Sequence, residues 1–106
     1  MTTKVLELRK TRELVRKRGL DETTFLQDEV LRETLAEYVP DPDELKVASF
    51  YVGLSLGCEL AIATHESNPD PTDHTRRQIL LFRYAQCLAD AASDWCMLGY
   101  EKEETE

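Results

Sequence analysis

Apolar residues in this chain fall at three- and four-residue intervals, in four blocks punctuated by glycine and proline. No run alternates with the period of two that marks a strand. The first block predicts a helix over 3–18, with Val5, Leu8 and Val15 in line and Leu14 beside them. Gly19 suits the position just past its end, because glycine adopts the left-handed conformation that closes a helix. Arg16, Lys17 and Arg18 sit in its last turn, where the helix dipole is negative. The stripe is thin, so this helix is expected to cover little core. The second block predicts a helix over 22–39, with Leu26, Val30, Leu31, Leu35 and Tyr38 at helical spacing and Pro40 as the stop. Asp21 is its expected N-cap, and Leu20 and Phe25 stand at hydrophobic-staple spacing around it.

The third and fourth blocks open alike, with Asp41-Pro42-Asp43-Glu44 and Asp70-Pro71-Thr72-Asp73. In each, aspartate would cap, proline would take the first helical position where no N–H is needed, and an acid follows at the third. These signals predict helices over 42–65 and 71–98. The link between them is short, which predicts an antiparallel hairpin. The charged tail at 101–106 is expected to fray. The fold expected is therefore all-α: a four-helix bundle-like single domain spanning 1–106, organised on the apolar hairpin of the third and fourth helices.

That hairpin is apolar on nearly every side. Such a helix must be covered on every side, and the thin first helix cannot do it. A second copy of the chain is the economical cover, so a homodimer is expected. Ser49, Gly53, Gly57 and Ala61 also recur every fourth residue along the third helix. A ridge of small residues admits a neighbouring backbone, at a cost of about 0.8–1.0 kcal/mol of helix propensity per glycine. Close packing against the fourth helix within one chain is the commoner use of such a ridge. Gly53, Gly57, Ala61, Leu88 and Trp95 are the residues expected at the dimer or close-packing contact.

Composition narrows the class. The chain has 106 residues, 42% apolar and 32% charged, which is globular rather than disordered. Cys58, Cys87 and Cys96 are odd in number and lie inside apolar blocks. Buried free thiols are the expectation, which fits a reducing, cytoplasmic setting. The N-terminus lacks the apolar core of a secretory signal. The apolar stretch 47–64 contains Glu59, and a charge near mid-span costs about 2.5–3.5 kcal/mol, so no membrane span is expected.

Charge is split along the chain. Residues 1–20 carry seven of the thirteen basic residues against Glu7 and Glu13, a net +5, so the remainder carries −13 of the total −8. Arg9, Arg12 and Arg16 fall close to one face of the first helix and could track phosphates. That helix has no aromatic residue to stack a base. The commoner use of such charges is balance against acids elsewhere in the fold. The mirror image is the second helix: nine acids lie between Asp21 and Glu44, with Arg32 the single base. Asp28, Glu29, Glu33 and Glu37 form an outer face that could enter a basic groove on a protein partner, although a solvated face is the commoner explanation.

Candidate chemistry is sparse. His65, Glu66, Asp70, Asp73 and His74 gather near the link, but no pair has the i, i+4 spacing of a helical histidine site, and two aspartates are expected to be caps. Asp90 and Asp94 lie one turn apart, with Glu59 on the neighbouring helix. Magnesium-dependent nucleotide hydrolysis needs a denser set of acids on each of two helices. Glu59 is expected to pair with Arg83. None of the three cysteines has a histidine at a recognisable spacing, and no glycine-rich phosphate loop is present. No catalytic residue, metal site or cofactor is assigned. The expected function is non-catalytic: an adaptor, regulator or inhibitor that meets a protein partner through the acidic face or the basic first helix. A nucleic-acid-associated regulator using the first helix is the alternative, and a metal-dependent hydrolase the third reading.

Overall fold

The longest helix, α5 (Asp73–Leu98), is the spine of the molecule. Its 26 residues, at a rise of about 1.5 Å each, nearly fill the 44 Å long axis. A computed structural model describes residues 4–42 and 47–98, and among these the regular elements are all helical. A 3₁₀ turn (Lys4–Glu7) leads into α1 (Arg9–Lys17). Two short helices follow, α2 (Glu22–Gln27) and α3 (Glu29–Tyr38), and then α4 (Ala48–Glu66). The tail at 101–106 lies outside the described residues.

α4 and α5, consecutive in the chain, share the most extensive packing. His65 stacks on Phe82 at 6.0 Å, Gln86 reaches Ser55, and Glu66 pairs with Arg83 at 2.8 Å. Arg83 therefore pairs with Glu66 rather than with the expected Glu59, which lies exposed on α4.

The first helix departs from its predicted form. Leu8 is extended, with φ −67° and ψ 137°, so the segment splits into the 3₁₀ turn and α1. The tighter turn aims Val5 and Leu6 inward together, and Leu8, Thr11 and Val15 follow, all buried. Thr11 satisfies its hydroxyl by donating to the Val5 carbonyl at 2.7 Å. This segment covers far more core than its sequence stripe suggested. Gly19 closes α1 as expected, at φ +75°. Gly19 N–H donates to Arg16 O and Leu20 N–H to Val15 O, the paired bonds of a Schellman motif.

The second predicted helix is also broken. Asp28 adopts φ −79° and ψ 102°, and its carboxylate accepts from Leu31 N–H at 3.1 Å, capping α3. Aspartate offers the backbone this local alternative to a continuous helix. The break frees the Phe25 carbonyl, which accepts from Arg32 at 2.9 Å. Asp21 caps α2 as expected, accepting from Thr23 N–H and the Thr24 hydroxyl, and Leu20 and Phe25 both join the core.

The third predicted helix is not continuous. Pro42 is helical as its Asp-Pro signal predicts, residues 43–46 lie outside the described residues, and Val47 is extended at φ −117°, so α4 begins at Ala48. Asp41 accepts from Lys4 N–H at 3.1 Å, tying the 3₁₀ turn to this loop. At α5 the cap is Thr72 rather than Asp70. Thr72 and Thr75 each accept the other's N–H at 3.2 Å, a reciprocal capping box displaced by two residues.

The main core gathers Tyr84, Phe25, Leu35, Leu88, Tyr51 and Cys58 with the inward residues of the N-terminal segment. Tyr84 stacks on Phe25 at 5.8 Å and donates to the Asp21 carbonyl at 2.8 Å, locking α5 to the start of α2. A smaller cluster of Leu8, Ala91 and Trp95 continues toward the end of α5, with Lys4 Nζ 5.2 Å above the indole.

Candidate interaction surfaces

The apolar surplus read from the sequence resolves unequally. On α5 most of it is covered within the chain: Ala85, Leu88, Ala89, Ala91, Ala92 and Trp95 are buried, while Leu80 and Met97 stay exposed. Leu88 and Trp95, expected at a dimer or close-packing contact, therefore pack inside the protomer. On α4 it is not covered. Val52 is 44% exposed, Leu56 55% and Leu60 70%, a row at i, i+4 spacing. Ser49, Gly53 and Gly57 form the neighbouring row, with Ala61 half-buried at its end. A Cβ placed at Gly53 or Gly57 meets nothing within 4 Å. The small-residue ridge thus faces outward, and the close packing expected of it against the fourth predicted helix is absent at both glycines. The reason is rotational: α4 turns Tyr51, Ser55 and Cys58 toward α5, which carries the glycines to the far side.

Basic residues of α1 are largely matched by acids. Arg9 lies 3.7 Å from Glu13, and Arg16 lies 3.8 Å from Glu22. Arg12 donates to the Glu7 carbonyl at 3.2 Å. Lys10 reaches Asp94 at 3.7 Å, and Arg18 reaches Asp90 at 2.6 Å. Exposed pairs of this kind contribute about 0–1 kcal/mol each, so they set the local potential more than the stability. Arg18 also donates to the Cys87 sulfur at 3.7 Å. Partial burial works against its charge, but the Asp90 hydrogen bond and the charges of Cys87 and Asp90 outweigh it and raise its pKa. The sequence signal for these pairs was the charge split. What it lacked was the main partner: α1 packs chiefly along α5 and less on α2, where Arg16 meets Glu22.

The acidic face remains open. Glu29, Glu33 and Glu37 are exposed on α3, and no ion pair among the described residues engages them. Asp28 is exposed too, with one carboxylate oxygen held by its cap. Val30 on the same helix is 73% exposed, and Leu26 on α2 is exposed too. Arg32, the only base of this stretch, turns away to pair with Glu7 and lies 5.7 Å over the Phe25 ring.

Among the described residues no group of three metal-capable side chains converges. Asp73 pairs with Arg76, Asp70 N–H is held by Asn68, and His65 is stacked on Phe82. The acids of the hydrolase reading are divided: Asp90 faces Arg18, Asp94 faces Lys10, and Glu59 is exposed on α4. All three cysteines are free thiols. Burial pushes Cys58 up to about 11, with Asp90 adding to the effect and a Tyr38 hydrogen bond opposing it. Burial raises Cys87 and Cys96 as well, away from the thiolate form that a nucleophile needs. No described helix is long and apolar enough to cross a membrane. Comparison with protein-family models, curated proteins and solved structures finds no match to this chain.

Proposed function

We propose that this is a non-catalytic interaction protein, an adaptor, regulator or inhibitor, that docks on a basic protein surface through Glu29, Glu33 and Glu37 of α3 with Asp28 at the edge. The observation that supports it is the uneven use of charge. Arg9 and Arg16 of α1 stand beside acids of the same chain, whereas Glu29, Glu33 and Glu37 are exposed on the same helix as the exposed Val30, with no such counter-charge among the described residues. Protein interfaces combine exposed apolar residues with a polar, charged rim. A basic nucleic-acid-binding protein would supply the matching surface. The same asymmetry counts against α1 as a nucleic-acid reader, because Arg9, Arg12 and Arg16 would first have to leave their present partners. The working unit of this reading is a homodimer, carrying two acidic faces, and the three free thiols suit a cytoplasmic setting.

The test is quantitative capture from the native host with two charge-reversed proteins. Glu29→Lys with Glu33→Lys and Glu37→Lys should lose a basic partner that the parent retains. Arg9→Glu with Arg12→Glu and Arg16→Glu should keep it. Loss in the arginine variant alone, together with salt-sensitive gel-shift of duplex or single-stranded nucleic acid by the parent, would transfer the function to α1.

A further inference from the structure

We infer that two copies of this chain join through the outer face of α4. Each would lay its Val52–Leu56–Leu60 row into the channel that Ser49, Gly53 and Gly57 leave open on the other. The inference rests on the homodimer reading and assigns it a surface; it does not depend on the acidic face.

Self-complementarity is the first argument. A two-fold interface uses the same patch on both subunits, so one patch must supply both protrusion and hollow. Along α4 the protruding row and the hollow row lie side by side with the same four-residue spacing. Rows of that spacing interlock in the commonest class of helix packing, with axes crossing at about −50°. The absence of Cβ atoms at Gly53 and Gly57 lets the facing backbone approach closely.

Charge is the second. Two chains of −8 repel, so they can meet only through a face with almost no charge. Between Val47 and Ala63, Glu59 is the single ionisable acid or base outside the cysteine and tyrosine side chains. A basic partner would find its counter-charges on α3 instead. A second copy is the occupant that this neutral stripe suits.

Area is the third. Interfaces of standard size take about 800 Å² from each partner, of which roughly 450 Å² is apolar. Val52, Leu56 and Leu60, with half-exposed Phe50 on the other side of the glycine row, offer surface on the order of 350–400 Å². That is slightly less than a standard interface uses and fits a weak, dissociable dimer.

Light scattering of the full chain at increasing concentration tests this, alongside two variants. The parent should move from the 12.2 kDa chain mass toward twice that value by tens of micromolar. Leu56→Glu with Leu60→Glu should remain at the chain mass. Gly57→Leu should raise the dissociation constant about tenfold or more by filling the channel. Circular dichroism should report unchanged helix content in both, because the altered positions face outward; if the glutamate variant loses helix, Gly57→Leu decides alone. A parent that stays monomeric throughout overturns both the dimer and this surface, and assigns the stripe to a different occupant. A dimer that survives Gly57→Leu and the glutamate pair overturns only the α4 assignment.

Discussion

Replacing Gly53 and Gly57 together by alanine should stabilise the protomer. Both glycines lie in the interior of α4, where alanine is favoured by about 0.8–1.0 kcal/mol per site. The gain is normally offset when the new methyl meets a neighbour. Here the added Cβ atoms meet nothing within 4 Å, and neither glycine has a positive φ that alanine would strain. The two sites are four residues apart but share no partner, so their effects should add to about 1.6–2.0 kcal/mol. For a domain of this size that raises the thermal midpoint by roughly 6–16 °C. Self-association would confuse the reading, because the same methyls would crowd a second α4. The melt is therefore best run in the Leu56→Glu, Leu60→Glu background, by circular dichroism on dilute protein, with urea titration as a second measure. An unchanged or lowered midpoint would refute the reasoning, since it would mean that the outer face of α4 is already covered within the chain.

Other consequences can be checked singly. Tyr84→Phe should cost about 1 kcal/mol in urea unfolding, because the Asp21 carbonyl loses one donor but keeps Phe25 N–H; a loss beyond about 3 kcal/mol would mean that the hydroxyl supports more than this bond. Asp90→Asn should destabilise by about 0.2–1 kcal/mol, since Arg18 loses a half-exposed counter-charge, and an unaffected midpoint would show the pair to be idle. Stability should be full below pH 9.0 and fall as pH rises from there through about 11, because the unfolded Cys58 thiol ionises in that window while the buried one stays neutral; urea midpoints that are flat across it, or that fall equally in Cys58→Ala, would contradict this.

The sequence by itself determined the helical class and several of its joints. Asp21 at the N-cap, the Leu20–Phe25 staple and Gly19 past the end of α1 are local devices, and each acts within a few residues of chain. Their physics does not wait for the rest of the molecule, so they read correctly from the sequence. Competing local devices read less well. Asp28 interrupts a helical run by capping the next helix, and the Thr72–Thr75 pair takes over the cap that the preceding Asp-Pro signals. Each offers comparable local hydrogen bonds, and small differences choose between them.

Tertiary structure alone decided which faces are covered. An apolar residue on α4 and one on α5 look alike in the sequence, yet Leu88 is buried and Leu60 is largely exposed. The outcome depends on how α4 is rotated about its axis, which follows from fitting Tyr51, Ser55 and Cys58 against α5. It also depends on the 3₁₀ turn at Lys4–Glu7, which sends Val5 and Leu6 inward together and lets a sparse segment cover one side of α5. The partners of the charges were settled in the same way. The seven bases of the first twenty residues are plain in the sequence, but only packing brings Lys10 and Arg18 to Asp94 and Asp90, more than seventy residues on, and leaves Glu29, Glu33 and Glu37 open. Coulomb attraction acts across space, and the chain's order does not record which charges folding will bring together.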